Sequence, residues 1–558
     1  MKFNIFKYFV PAAAALALAF GATSCADDLN QSSIDPQTRP AAEQQGYYAK
    51  IYGLMTLSGQ RGIADIPDIS DDPGKNPFFR RVWEAQEFPT DECLWVWQND
   101  AGQPEFVNFT WSSDHIFTKM LYNRLAYNIT QCNLFLDLFS GNTDAESQRQ
   151  CAETRFFRAM YYQYFLDMFG RAPFKEHFDT ENLPTEKVGQ DLFAYIESEY
   201  KDILGEGEGS SESVLDAPQP NAATFGRVNK AAVWMMLARL YLNAEAYTGT
   251  AHWQEAYDYA DKVIRESGYK LCTADKTATV DGRDTTYTAY QQLFMGDNDQ
   301  NANAMNEIIL PIRQDGLRTR SYGGTYCIIS SCYGSNMPNF YGTNDAWTCI
   351  RARSAAVGMF FNDLSAVPLT ENPIDITTAA GDDRALFYGG AADGTQRTVQ
   401  TETINKFQSG LSIVKFTNKH SDGTKNYNDP NIPDTDVPFI RLAEAYLTRA
   451  EANWRKGGDA SLTLADVNAL RSRAHASAWN ANDLTETNFI KEWGREFYLE
   501  GRRRTDLVRF GAFTSSKYLW DWKGGAENGT AVRSTYNVFP VPSTELSNNP
   551  NMHQNAGY

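Results

Sequence analysis

Long helical-period segments constrain this chain more than any other feature of its sequence. Residues 117–139 carry apolar side chains three to five positions apart (Leu121, Leu125, Ile129, Leu134, Leu138), the stripe of an amphipathic helix. Residues 146–169 repeat the pattern until Gly170, a residue suited to ending a helix. A similar pair follows at 226–242 and 253–266, with Ala238, Ala256 and Ala260 where two helices would have to cross closely. Residues 439–456 and 463–474 give another. The spacing therefore predicts a mainly α chain built from helical hairpins.

Between these blocks, residues 270–437 differ in kind. They are rich in Gly, Asn, Asp, Ser and Thr, with short β-like runs at 307–312 and 411–416. Residues 60–110, ahead of the first long helix, read the same way. Irregular segments on a rigid scaffold are where binding residues concentrate, so these two blocks are the expected home of a shared site. At 558 residues and 42% hydrophobic, the chain can bury a large core, which excludes general disorder. Asp+Glu 69 against Lys+Arg 51 gives a formal charge of −18, so no nucleic acid is expected as a partner. The one basic run, Arg502, Arg503 and Arg504, is flanked by Glu496, Glu500 and Asp506, and pairing within one helix is its expected role.

The N-terminus reads as a targeting segment. Lys2 and Lys7 precede an apolar run at 10–20, too short to span a bilayer. Ala22-Thr23-Ser24-Cys25 resembles a lipobox, which would make residues 1–24 a signal peptide and Cys25 the lipidated first residue of the mature protein. Asp27 and Asp28 resemble the export signal of surface lipoproteins, and residues 25–45 read as a lipidated tether. The other seven cysteines (93, 132, 151, 272, 327, 332, 349) are odd in number with no CxxC pair, and the six histidines are scattered singly.

One short stretch, "PTDECLWVWQND" at 89–100, poses the functional question. In an extended chain, side chains two apart point the same way about 6.6 Å apart. Trp95 and Trp97 could then present two rings to the apolar C–H faces of neighbouring sugar units, with a third ring from elsewhere completing an arc. A glycoside hydrolase using Asp91 and Glu92 is one alternative, and a helical-hairpin adaptor or a binder of another glycan or a peptide is the other. Adjacent residues in a strand face opposite ways, however, which suits a pair flanking one bond poorly. In "MGDNDQNANAMNE", residues 295–307, Asp297, Asp299 and Asn301 alternate as oxygen ligands of calcium do, but EF-hand positions are not met. An Asn/Asp-rich turn explains them equally well.

Several segments together resemble a family. "CAETRFFRAMYYQYFLDMFGRAPF", "GRVNKAAVWMMLARLYLNA", "VPFIRLAEAYLTRAEANWRKGG", "EWGREFYLEGRRRTDLVRFGAF" and "VFPVPSTELSNNPNMHQNAGY" are similar, in this order, to the SusD/RagB family of outer-membrane lipoproteins. "PTDECLWVWQ", "EIILPIRQDG", "AAGDDRAL", "PDTDVPF" and "KYLWDWKGG" look like the starch-binding member of that family. The resemblance implies one SusD-like domain over residues 46–558, with four TPR-like (tetratricopeptide-like) helix pairs and a loop-rich region carrying a glycan site. It implies non-catalytic binding of α-glucan (starch, malto-oligosaccharide) beside a SusC-like TonB-dependent transporter, on the outer membrane through lipid at Cys25 and facing the exterior. Trp347 is then the third stacking ring, with Tyr322 nearby. Asp72, Arg80 and an amide after the WxWQ, at Asn99 or Asp100, would hydrogen-bond sugar. A structural Ca²⁺ is implied at Asp299 with Asp434 and Asp436, and no catalytic cofactor.

Overall fold

The computed structural model describes residues 43–558 apart from 60–62, 64, 65, 70, 71, 221, 222 and 426. The expected signal segment, Cys25 and most of the tether lie outside the described residues. Helix α1 (Gln44–Gly53) opens the described chain and α2 (Phe78–Glu87) follows. A helical array comes next: α3 (Ile116–Phe139), α4 (Ala145–Phe169), α5 (Gly189–Leu204), α6 (Lys230–Leu242) and α7 (Trp253–Glu266). After the irregular block, which contains α8 (Thr325–Cys332), come α9 (Leu442–Arg455), α10 (Ala460–Arg473), α11 (Glu486–Phe497) and α12 (Arg503–Arg509). Among the described residues no helix is long and apolar enough to cross a membrane.

Each helix of the array packs on the next: α3 on α4, α4 on α5, α5 on α6, α6 on α7, α7 on α9 and α9 on α10. Ala256 and Ala260 are fully buried where α7 meets its neighbours, as their small size predicts. Caps set the boundaries. Asp144 Oδ1 accepts from Ser147 N (2.9 Å) to start α4, and Gly170, at φ 67°, ends it. Asn229 Oδ1 accepts from Ala231 N (3.0 Å), so α6 starts at Lys230 rather than at 226.

Three expectations need correction. Residues 439–441 are not helical: β4 (Val437–Arg441) pairs antiparallel with β2 (Ile308–Ile312), and α9 begins only at Leu442. All five β2 side chains are buried, so its apolar run has no alternating pattern to advertise it. The block at 60–110 is less irregular than its composition suggests, because it contains α2, all of whose residues are buried. And the arginine run is held chiefly by distant partners. Arg502 does pair with Asp506 within α12, at 3.0 Å, but Arg503 grips both oxygens of Asp91 at 2.7 Å. Glu496 and Glu500 answer other arginines: Glu496 Oε1 meets Arg441 at 2.7 Å and also Arg473, and Glu496 Oε2 meets Arg384 at 3.0 Å. Asp91, Arg503, Asp506, Glu496, Arg384, Arg441 and Arg473 are all buried. The seven cysteines after Cys25 are free thiols, each buried.

Candidate functional site

Strand β1 (Cys93–Trp95) pairs antiparallel with β3 (Ile350–Ala352), Trp95 opposite Ile350. The pairing extends one step further, since Val96 N donates to Cys349 O at 2.8 Å. This ladder brings the segment bearing Trp97 alongside the segment bearing Trp347, which are 250 residues apart in sequence. Thr348, just after Trp347, is in the left-handed region at φ 54°, a conformation costly for a β-branched residue. The bend is held by Trp347 N donating to Ser330 O (2.8 Å) and Thr348 N to Tyr333 O (2.9 Å).

Trp95 and Trp97 do not form the side-by-side platform that an extended chain would give. β1 stops at Trp95 and the backbone turns, with Gln98 N donating to Val96 O at 3.0 Å and Asp100 N to Trp97 O at 3.0 Å. The two rings consequently stand edge to face, 5.4 Å apart at 82°. Trp95 is buried at 4% exposure and backs Trp97, which is 41% exposed. The Trp95 indole N–H donates to Asp100 Oδ2 at 3.2 Å. Asn99, just before it in the chain, is exposed, and among the described residues its side-chain amide makes no hydrogen bond.

Across the ladder, three rings converge. Tyr322 stacks on Tyr326 (5.3 Å, 15°), and Trp347 leans on both, at 5.7 Å and 5.2 Å. Asp345 Oδ2 accepts the Trp347 indole N–H at 2.8 Å and also the Tyr326 hydroxyl. One carboxylate thus fixes two rings. Tyr326 was not foreseen; its position four after Tyr322, beside the helix-forming run that becomes α8, was the only signal. Next to Tyr322 lies the loop carrying Asp72. Gly74 packs there, and a Cβ on it would be 3.6 Å from the Tyr322 ring. Asp72 Oδ1 accepts from Gly74 N at 2.9 Å, leaving its other oxygen open apart from Lys75 at 3.9 Å. Arg80, on α2, donates through Nε to Glu84 (2.7 Å) and through Nη1 to Gly74 O (2.8 Å). Burial alone would lower its affinity for a proton, but the Glu84 carboxylate keeps the guanidinium charged. Among the described residues its Nη2 makes no hydrogen bond. The rim therefore joins stacking surfaces (Trp97, Trp347, Tyr322) to polar side chains at its edge (Asn99, Asp72, Arg80).

Asp91 and Glu92 face away from this rim and are fully buried. Burial alone would raise the Asp91 carboxyl, but Arg503 holds it below the usual range; Tyr518 also donates to it, at 2.7 Å. Glu92 accepts from Leu499 N at 2.8 Å and lies against Glu87, and desolvation pushes both carboxyls up. Neither acid can reach a glycosidic bond at the rim.

The implied calcium residues are only partly gathered. Arg313 bridges Asp299 (2.8 Å) and Asp436 (3.0 Å). Both Asp434 oxygens accept hydrogen bonds, from Gly316 N (2.8 Å) and Asn428 N (3.0 Å). Among the described residues no group of three or more His, Cys, Asp or Glu side chains is drawn together to hold a metal. Asp436 Oδ2 nonetheless receives no directed hydrogen bond although it is fully buried, and desolvation pushes its carboxyl well up. That oxygen already faces the half-exposed Arg313 Nε in an ion pair at 3.0 Å, so a cation there would share it with the guanidinium.

Comparison with known proteins gives the rim its context. A profile of the SusD family matches residues 387–558. The chain is 47% identical to "Starch-binding protein SusD" of Bacteroides thetaiotaomicron over 584 aligned positions, covering all of both chains. It is 25% identical to "SusD-like protein P25" of Formosa agariphila, over 77% of this chain and 76% of that one. Among solved structures, "Surface glycan-binding protein A" from Bacteroides uniformis superposes with TM-score 0.66 at 17% identity, covering 92% of this chain and 99% of that one. The same-named protein from Bacteroides thetaiotaomicron, "in complex with laminarihexaose", gives 0.65 at 16% identity, covering 92% and 98%. These last two speak to the fold. With nearly half its residues identical to one of the family's proteins from end to end, the chain belongs to the SusD family.

Proposed function

We propose that this protein is a non-catalytic, cell-surface binder of starch and malto-oligosaccharides that hands glucan to a SusC-like TonB-dependent transporter, anchored to the outer membrane by lipid on Cys25. The observation that carries the reading is the ladder that brings the segment bearing the exposed Trp97 alongside the segment bearing Trp347, whose ring meets Tyr322 and Tyr326. Aromatic faces take apolar sugar faces without stripping the hydroxyls of water, and a curved α-glucan needs rings in an arc rather than in a row. Asn99, Asp72 and Arg80 Nη2 then read hydroxyls at the edge, while Asp100 and Asp345 hold the indoles. The name of the 47% identical relative favours starch over other glycans. A few stacking contacts of about 1 kcal/mol each, offset by ordering of the glycan, give micromolar to millimolar affinity, which suits hand-over. Retention on an amylose gel, absence of retention on casein and no release of reducing sugar from amylose are the expected results. Release of reducing sugar would overturn the non-catalytic part.

A structural calcium belongs to the same proposal. Asp299, Asp434 and Asp436 would hold it, and it would add positive charge beside the buried Asp436 oxygen, whose ion-pair partner is the half-exposed Arg313. Added calcium should raise the unfolding temperature, a chelator should reverse the rise, and Asp436→Asn should abolish the response.

A further inference from the structure

A cavity of about 430 Å³ opens behind the loop that carries Trp347, within the size range of small-molecule sites. Its lining includes Tyr287, Asn344, Lys419, His420 and Tyr427. The walls are tightly set. Gly342, at φ 69°, presses on the neighbouring strand of chain so closely that a Cβ would be 2.7 Å from Lys419 N. Gly423, at φ 79°, does the same against Thr279 O at 2.9 Å. The hairpin Lys276–Val280 with Arg283–Tyr287 is tied over the cavity by Lys276 Nζ donating to Ser421 Oγ (2.9 Å) and by the Lys425 to Asp281 ion pair (2.9 Å).

The chemistry of the lining is specific. Thr424 Oγ gives its proton to Asp422 Oδ1 (2.7 Å), so it can only accept from His420 Nδ1, 3.2 Å away. His420 Nε2 is left with a lone pair, and it is buried without a partner. Such an acceptor wants an O–H or N–H donor, which a carboxylate ion does not offer. Lys419 has no carboxylate partner and lies over the Phe340 ring at 5.3 Å. Among the described residues the hydroxyls of Tyr287 and Tyr427 and the side-chain amide of Asn344 make no hydrogen bonds, and the Tyr427 ring stands edge-on to His420 at 5.5 Å. Unpaired donors, unpaired acceptors and aromatic surface meet in one enclosure.

We propose that this cavity is a second carbohydrate site, for one neutral pyranose unit, distinct from the rim. A sugar hydroxyl both donates and accepts, so one ring can answer His420 Nε2, Lys419 and the tyrosine hydroxyls together. Asn344 is three residues before Trp347, so occupancy of the cavity braces the loop from which the rim's Trp347 projects. This site does not depend on the starch reading, because it calls only for a neutral sugar.

The test uses the full mature protein carrying Trp97→Ala with Trp347→Ala, which removes the rim. Saturation-transfer difference NMR with maltose should still show transfer, and Lys419→Ala with Tyr427→Ala should reduce it about tenfold, the loss of one or two hydrogen bonds. Asn344→Ala, on an exposed loop, should weaken the signal without moving the unfolding temperature and serves if the first pair of changes disturbs folding. Absence of transfer in the rimless protein, or transfer indifferent to these substitutions, overturns the proposal. Stronger competition by glucuronate than by methyl glucoside overturns its neutral-sugar chemistry. Transfer to the cavity with no binding at the intact rim would sink the starch reading alone.

Discussion

Two regions of this molecule treat polar groups in opposite ways. Around Glu496, beneath the helical array, three arginines converge on one carboxylate (Arg384, Arg441 and Arg473), and Glu492, Glu307 and Glu500 complete the matching of charge out of contact with water. At the rim, Trp97 stands exposed with Trp347 and Tyr322 half-buried, and among the described residues the Asn99 side chain and Arg80 Nη2 make no hydrogen bond. A charge that is buried and fully paired can do nothing for a ligand, whereas a polar group left open can. The difference teaches that stability and binding are carried by separate sets of residues, so substitutions should separate them.

The largest effect should come from breaking the buried set. Glu496→Ala leaves three buried guanidinium groups short of a partner, and breaking a buried pair typically costs about 3–5 kcal/mol. Urea unfolding should show that loss, while the fraction that remains folded binds amylose as before. A smaller stability change with weakened binding would contradict the separation. The complementary change, Trp97→Ala with Trp347→Ala, removes half-exposed rings and should weaken malto-oligosaccharide binding by more than about tenfold in isothermal titration. Its unfolding free energy should move by less than that of Glu496→Ala. Intact amylose binding in this variant would exclude the rim as the site.

A third effect lies on the boundary between the regions, because Glu92 belongs to the segment that leads into β1. Burial raises the Glu87 and Glu92 carboxyls above their unfolded values. The stability from their shared proton is therefore fully present below the ordinary carboxylate range and is lost as pH rises through the raised value. Each unit of displacement is worth about 1.4 kcal/mol. Glu92→Gln imitates the protonated form, so its unfolding free energy should fall less between pH 5 and pH 9 than that of the parent. Equal slopes would mean that the pair is not protonated.

The sequence reading succeeded where one period dominates and failed where distant chain decides. The helices at 116–139, 145–169 and 253–266 follow from local spacing, and their ends follow from Asp144 and Gly170. Helix α5 was passed over, although its Leu192, Phe193, Ile196, Tyr200, Ile203 and Leu204 form a helical stripe, because the surrounding composition is polar. Nothing local shows that Arg503 will meet Asp91, or that Asp345 will hold two rings, since partners 412 residues apart or turned by a left-handed Thr348 leave no periodic trace. Trp95 shows the limit most clearly: alternation was the right rule for a strand, but the strand ends on Trp95 itself.

The smallest expected effect is the sharpest on the rim, because Asn99 and Asp100 are neighbours with opposite duties. Asp100 is engaged by the Trp95 indole, which backs Trp97, whereas the Asn99 amide is free. If Asn99 reads a sugar hydroxyl, Asn99→Ala should cost one hydrogen bond, about 1 kcal/mol or roughly fivefold in affinity. Asp100→Asn keeps an oxygen acceptor for the indole and should cost less than Asn99→Ala, whereas Asp100→Ala frees Trp95 and should alter the tryptophan fluorescence of the unliganded protein. A larger loss of affinity in Asp100→Asn than in Asn99→Ala would reverse the assignment: the carboxylate would be the sugar's partner, and the indole contact would be a feature of the empty rim alone.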